Sequence, residues 1–309
     1  MPRAYLTVTI DTECDKGPGW RVEKPAAFAG VTDGVARRLE PLFQSFGARG
    51  TYLVSGEVLE DPASVEVLLA AKADLGAHLH GETVAPDAYL PDITSQFQRD
   101  LPEPVERAKL TSLTAGFSAA FGRPPLAFRA GRFGVGRHTL RILSELGYAV
   151  ESSVTPHMDW ASSGAPGLAF PDAPTQPYHP AWEEPGRVGE CPLWEVPITI
   201  RRRWANALPV LGRHLEPRWL RPTHMSGRAL VGLAEDELRD AAKRPGPRLP
   251  PVLTCMFHNV EIVPGKSPYA TSEGAARRIL GNLAELLAFA QREEIRVVGL
   301  SDLPEVLAP

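Results

Sequence analysis

The chain has 309 residues, a formal net charge of −4 and 43% hydrophobic residues. That is enough apolar material for a sizeable core, and nothing in the charge balance argues for nucleic acid. The opening MPRAYLTVTIDTE runs straight into a strand-like alternation without the apolar region of a secretory leader, and no run approaches the ~18 apolar residues of a membrane span.

Short β-rich runs alternate with helical patterns. YLTVTI (5–10) is the first expected strand. TDGVARRLEPLFQSFG (32–47) is a helix, with Asp33 as its cap, an apolar stripe through Val35, Leu39, Leu42, Phe43 and Phe46, and Gly47 as its stop. GTYLVS is the second strand, PASVEVLLAAK a helix and DLGAHLH the third strand. Residues 102–122 open on proline and close on glycine, the usual asymmetry of a helix. LAFRAG, YAVESSV, LWEVPITI, PVLTCMFH and IRVVGL supply strands four to eight, with GRHTLRILSELG and TSEGAARRILGNLAELLAFAQRE as helices between them. This alternation predicts an α/β fold, a barrel of about seven to eight parallel strands in a single domain over 1–309. Residues 155–192 and 201–250 read as loop-rich elaborations on it.

In a parallel barrel the C-terminal strand ends share one face, where the active site is built. Strand one runs into Asp11 and Glu13, strand three into His78 and His80, strand four into Arg129, strand five into Glu151 and strand seven into His258. His78 and His80 lie two apart and share a strand face, so with one carboxylate they make a ligand set that leaves positions open for water and substrate. Arg129 is placed to hold a catalytic carboxylate by paired hydrogen bonds, and the glycines of FRAGRFGVG (128–136) allow close approach of a ligand to backbone N–H groups. His258 suits general-acid work. Glu151 and Asp159 are further candidate supporting carboxylates, or equally loop caps.

The motifs in this order resemble the polysaccharide deacetylases with a NodB-homology domain, carbohydrate esterase family 4. TIDTE is similar to the acidic first motif, HLHGE to the histidine motif, RAGRFG to the arginine motif and MFHN to the last histidine motif. HLH together with MFHNVEIVPGKSPYA is most similar to a cytoplasmic, WbmS-like branch associated with surface-polysaccharide gene sets. The resemblance implies a distorted (β/α) barrel, a divalent metal with zinc foremost, and hydrolysis of an N-acyl group, acetyl or formyl, from a sugar. It implies Asp11 as general base, Arg129 as the group orienting it, His258 as general acid and His78 as a metal ligand. Arg132, Phe133 and Trp160 are the expected substrate-binding residues, the first two through backbone N–H groups near a developing oxyanion.

The departures are specific. Thr12 stands where the family has a second aspartate, and Glu13 has the length to take over as ligand. Glu82 stands where the second histidine is usual. Either Glu82 binds the metal or His80 has replaced it, and the face shared with His78 favours His80. Two rival readings follow: an amidohydrolase acting on a small non-sugar amide, with or without metal, and a catalytically silent carbohydrate-binding relative.

Three cysteines, Cys14, Cys191 and Cys255, lack CxxC spacing and read as reduced thiols in a cytoplasmic protein, Cys14 without a partner base that would make it a nucleophile. Residues 200–224 carry Arg201, Arg202, Arg203, Arg213, Arg218 and Arg221 against Glu216 alone. A solvated face, an anionic-substrate contact or a membrane-surface contact, with Trp204, Leu208, Leu211 and Trp219 interleaved, would each account for them. Trp182 and Trp194 join Trp160 as aromatics near the expected cleft, for stacking on a sugar ring or equally for packing.

Overall fold

The computed structural model describes residues 2–22, 24–86, 97–202, 217–243 and 249–308. Its strands are β1 (Tyr5–Thr12), β2 (Thr51–Ser55), β3 (Asp74–Leu79), β4 (Ala127–Ala130), β5 (Val150–Glu151), β6 (Pro180–Ala181), β7 (Glu184–Val188), β8 (Trp194–Glu195), β9 (Ile200–Arg201), β10 (Arg218–Trp219), β11 (Val252–His258) and β12 (Arg296–Val297). A helical run, Gly30–Leu39, continues into α1 (Glu40–Ser45). It is followed by α2 (Gly56–Leu59), α3 (Pro62–Ala70), α4 (Glu103–Phe121), α5 (Thr139–Glu145), α6 (Gly227–Ala241), α7 (Glu273–Arg292) and α8 (Leu303–Leu307).

Seven strands form one continuous parallel path, in the order β11-β1-β2-β3-β4-β5-β8, with β12 pairing to the N-terminal end of β1. The sheet curls into a half-barrel flanked by helices, the distorted barrel that the sequence predicts. Between its two ends the contact is irregular: Thr199 N donates to Thr254 O at 3.1 Å, and Thr254 N to Thr199 Oγ1 at 2.8 Å.

Alternation along β1 sets the layers. Leu6, Val8 and Ile10 join the large core beneath the helices with Val35, Leu39, Phe43, Ile279 and Leu286. The opposite face carries Tyr5, Thr7, Thr9 and Asp11 in line, since side chains on one face recur every two residues. Tyr5 packs in an apolar plug with Leu53, Ala127, Val150, Val252 and Val298. Going up the same face, the residues turn polar towards the strand ends.

Three local expectations needed correction. The first helix starts at Gly30, ahead of Asp33, and its first N–H groups are met by Asp15 instead: Ala29 N and Gly30 N donate to its carboxylate at 3.1 and 2.8 Å. A tertiary cap from the β1 loop has displaced the local one. Strand five is only Val150–Glu151, and LWEVPITI divides into β8 and β9. The stretch 201–250 holds β10 and the amphipathic α6, whose Leu230, Leu233 and Leu238 are buried. By contrast, Gly47 and Gly122 close their helices with φ of 59° and 69°, the left-handed stop expected of glycine.

Candidate metal centre and catalytic cleft

Strand register brings the polar strand ends together. Asp11 lies opposite His258 across β1 and β11, His78 opposite Arg129 across β3 and β4, and Ser55 opposite His78 across β2 and β3. Residues far apart in the chain thus share one rim, in a cleft of about 600 Å³.

Arg129 is fully buried at its base. Its Nη1 donates to Asp11 Oδ1 at 2.6 Å, Nη2 to Thr9 Oγ1 and Ser152 Oγ at 2.9 Å each, and Nε to Ser152 O at 2.7 Å. The contact with Asp11 is a single bond, where the sequence reading had paired ones; the other donors hold the guanidinium in place. Burial opposes ionisation of Asp11, but the charges of Arg129, His78 and His258 together outweigh it and hold the carboxyl below its ordinary range.

Glu13, His78 and His80 offer ligand atoms that all lie within 4.8 Å of one another, and all three residues are buried. His78 Nδ1 donates to Arg129 O at 2.9 Å, which leaves Nε2 facing Glu13 Oε1 at 3.2 Å. His80 Nε2 meets the same oxygen at 3.0 Å. Two imidazoles and a carboxylate converging on one point, with one imidazole fixed from behind by a carbonyl, suit a divalent ion. Glu13 Oε2 pairs with Lys16 Nζ at 2.8 Å. Burial opposes charge on Glu13, yet Lys16 and His80 hold it well below the ordinary carboxylate range, and Glu13 in turn lifts His80 to about 9 against the effect of burial. Glu82 stands outside this trio, bound to Arg132 at 2.8 Å.

The backbone around these candidate ligands is tightly held. Asn259 clamps Glu13 from both sides: Glu13 N donates to Asn259 Oδ1 at 3.0 Å, and Asn259 Nδ2 to Glu13 O at 2.9 Å. A Cβ on Gly131 would stand 2.6 Å from Leu79 O and 2.9 Å from the His80 ring, so only glycine fits under that histidine.

His258 Nε2 lies 3.9 Å from Asp11 Oδ2 and 3.7 Å from Glu13 Oε1, while Nδ1 bonds Glu261 Oε1 at 2.8 Å. Glu261 is fully buried and also takes hydrogen bonds from Arg221 and Thr223. Burial raises its pKa, but the charge of Arg221 and the bond from His258 outweigh this and hold it down at about 2. A carboxylate with a lowered native pKa stabilises the fold above its unfolded value, and that stability is lost as pH falls through the native value. The stability gap between parent and Glu261→Gln should therefore be widest above the ordinary value of 4.5 and narrow as pH falls towards 2. Urea midpoints across that range measure it, and a gap independent of pH would show that Glu261 is no better ionised folded than unfolded.

Arg132, Phe133 and Trp160 all line the cleft. Trp160 stacks on Phe133 with ring centroids 5.4 Å apart, and Arg132 and Phe133 take successive positive φ values of 53° and 56°. Other candidates fall outside it. Glu151 is buried beneath the β5–β8 pair, accepting from Ser153; it lies opposite Glu195, whose carboxyl burial and the neighbouring Glu151 push well above its ordinary range. Asp159 is exposed and caps Ala161 N at 2.9 Å. Trp182 lies under Arg141, and Trp194 packs on His179. Burial and the Glu57 carboxylate push the Cys14 thiol up to about 12, which keeps it protonated.

The arginine run divides. Arg201 pairs with Glu237 and Asp240, and Arg218 with Asp236, while Arg202 donates to Pro171 O. Arg221 enters the cleft and Trp219 is buried against Phe133. Arg203, Trp204, Leu208, Leu211, Arg213 and Glu216 lie outside the described residues.

Lys16, Trp20, Asn259 and Glu261 went unassigned in the sequence. Lys16 and Glu261 sit three residues beyond Glu13 and His258. Trp20 follows the turn-forming GPG directly after the acidic motif, a composition that marks a loop on the rim.

No protein-family model matches the chain, and no curated protein matches it in sequence. Solved structures do match. One named as a polysaccharide deacetylase from Mycobacterium smegmatis is similar over 98% of this chain and 90% of that chain, at 18% identity and a TM-score of 0.56. Another so named, from Pseudomonas aeruginosa PAO1, covers 99% and 91% at 14% identity and a TM-score of 0.56. PuuE allantoinase covers 99% and 90% at 14% identity and a TM-score of 0.57. Among the described residues no helix is long and apolar enough to cross a membrane. The fold of this chain is the one found in the polysaccharide deacetylases, a curled parallel half-barrel with its polar strand ends on one rim.

Proposed function

We propose that the whole chain is one catalytic barrel, a metal-dependent hydrolase that removes an N-acyl group, acetyl or formyl, from a sugar in surface-polysaccharide synthesis in the cytoplasm. The observation that carries this is the convergence of Glu13, His78 and His80 beside an Arg129-held Asp11 and a Glu261-held His258. The fold shared with deacetylases supports it.

Glu13, His78 and His80 would hold the ion, with zinc the best match to two imidazoles and a carboxylate. When bound, a divalent ion supplies a Lewis acid for the acyl carbonyl and acidifies water. Asp11 accepts the proton of the attacking water, and Arg129 keeps that carboxylate ionised and aimed. His258 protonates the departing nitrogen from Nε2, since its Nδ1 is committed to Glu261. Arg132, Phe133 and Trp160 form the wall that receives the sugar, with the Arg132 and Phe133 amides as backbone donors for a developing oxyanion.

Elemental analysis after zinc loading and dialysis tests the reading. We expect about one ion per chain in the parent and none retained in Glu13→Ala or His80→Ala. A parent that retains no metal would refute the metal-dependent reading and favour an amidohydrolase that works without metal, or a silent binder. Retention by His80→Ala with loss in Glu82→Ala would transfer the ligand role to Glu82.

A further inference from the structure

On its His258 side the cleft is walled by Trp20, Arg21, Arg221 and Tyr269. Trp20 packs edge-on against His258 and Tyr269, with ring centroids 5.0 and 5.6 Å apart, and the Arg221 guanidinium lies 5.4 Å from the centre of the Tyr269 ring. The four side chains make one patch beside the proposed acid.

The positive charge of this patch exceeds what the protein pairs: Glu261 matches Arg221, and no carboxylate among the described residues matches Arg21. The carboxylates in and behind the cleft each have a cation of their own: Arg129 for Asp11, Lys16 for Glu13, Arg132 for Glu82 and Arg221 for Glu261, which leaves Arg21 over. Arg221 meets Glu261 and His258 through Nη2 alone; its Nε is buried with no hydrogen-bond partner, and Nη1 makes no bond among the described residues. The Nε is closed off from the cleft, so Nη1 is the donor of this guanidinium left for a ligand's acceptor. Arg21 stands exposed on the rim with no carboxylate partner among the described residues. It is held there by a tight loop, in which Arg21 N donates to Lys16 O at 2.7 Å and Trp20 N to Gly17 O at 3.2 Å. Within that loop Trp20 takes a φ of 53°, a conformation a bulky side chain rarely adopts. Strain of this kind persists where the site uses it.

We propose that the substrate is anionic: an N-acylated sugar bearing a carboxylate or a phosphate, whose charged group is taken by Arg21 and Arg221 while its ring lies against Trp20. The acyl group rests on the function proposed above; the charge rests on Arg21, with Nη1 of Arg221 as a second donor. Arginine's planar fork of donors fits either oxyanion.

Equilibrium binding tests this without requiring turnover. The parent, Arg21→Gln and Arg21→Lys would be titrated calorimetrically with N-acetylglucosamine, its 6-phosphate, its uronic acid and UDP-N-acetylglucosamine. At least one charged sugar should bind about tenfold tighter than the neutral one. That advantage should vanish in Arg21→Gln, persist largely in Arg21→Lys and shrink with added salt. The phosphate-bearing and carboxylate-bearing sugars identify the source of the charge. Equal binding of neutral and charged sugars, a preference untouched by Arg21→Gln, or no binding of any of them would overturn the proposal. Arg21-dependent binding of a charged sugar with no acyl release would leave it standing and count against the deacylase. Hydrolysis of the neutral sugar without any charge preference would do the reverse.

Discussion

Replacing Asp11 by asparagine should lower acyl-sugar hydrolysis by about 10²–10⁴-fold while leaving metal content unchanged. Asparagine keeps the size of the side chain and an oxygen that can accept from Arg129 Nη1, which reaches Asp11 Oδ1 at 2.6 Å. It removes only the basic oxygen, the Oδ2 that faces His258 Nε2 across 3.9 Å. The trio of possible ligands does not include Asp11, so zinc loading should survive. Acyl release at saturating substrate and elemental analysis of the same preparation measure the two quantities together. A parent-like rate would remove Asp11 from the role of base. Loss of metal along with rate would make it a ligand instead.

The rim was legible because chemistry at parallel strand ends leaves a local mark. A polar residue after an apolar run, repeated at Asp11, His78, Arg129 and His258, is visible in one dimension, and parallel topology puts all such ends on one face. The pairing was not visible. That Asp11 sits opposite His258, and His78 opposite Arg129, depends on register between segments up to 247 positions apart, which no local pattern records. The same reason hid the groups that hold the site in place. Asn259 acts on the backbone of Glu13 through contacts that form only when β1 and β11 lie side by side, and Asp15 reaches the first helix only once the loop after β1 folds back on it. Glu151 shows the converse error. Its place at a strand end matched the pattern, but alternation along so short a strand puts Val150 in the interior plug and Glu151 beside Glu195 and Phe128, off the rim. For Trp182 and Trp194 the structure selects packing, the alternative that aromatic content alone does not distinguish from a cleft wall.

Arg129→Met should be the most destabilising of the substitutions considered, by about 3–5 kcal/mol in urea unfolding, because it breaks a buried ion pair from one side only. Nothing else near Asp11 replaces what is lost: His258 approaches it no closer than 3.9 Å, and the methionine cannot donate to Thr9 Oγ1 or Ser152 O. Asp11 would be left ionised without its main partner in a site from which burial already works to expel charge. Its pKa should then rise, so the variant should lose base function even where it folds. The double variant Asp11→Asn/Arg129→Met separates the two contributions. If the penalty is mostly an unpaired carboxylate, neutralising Asp11 should recover part of it, with a coupling of about 0.5–3 kcal/mol. Strict additivity would instead place the cost in the lost bonds to Thr9 and Ser152, and make Arg129 a brace of the β4–β5 edge more than the partner of Asp11. Either way the guanidinium, carried on β4, ties β1 and the residue after β5 to the carboxylate that begins the proposed reaction, and stability and catalysis meet in one side chain.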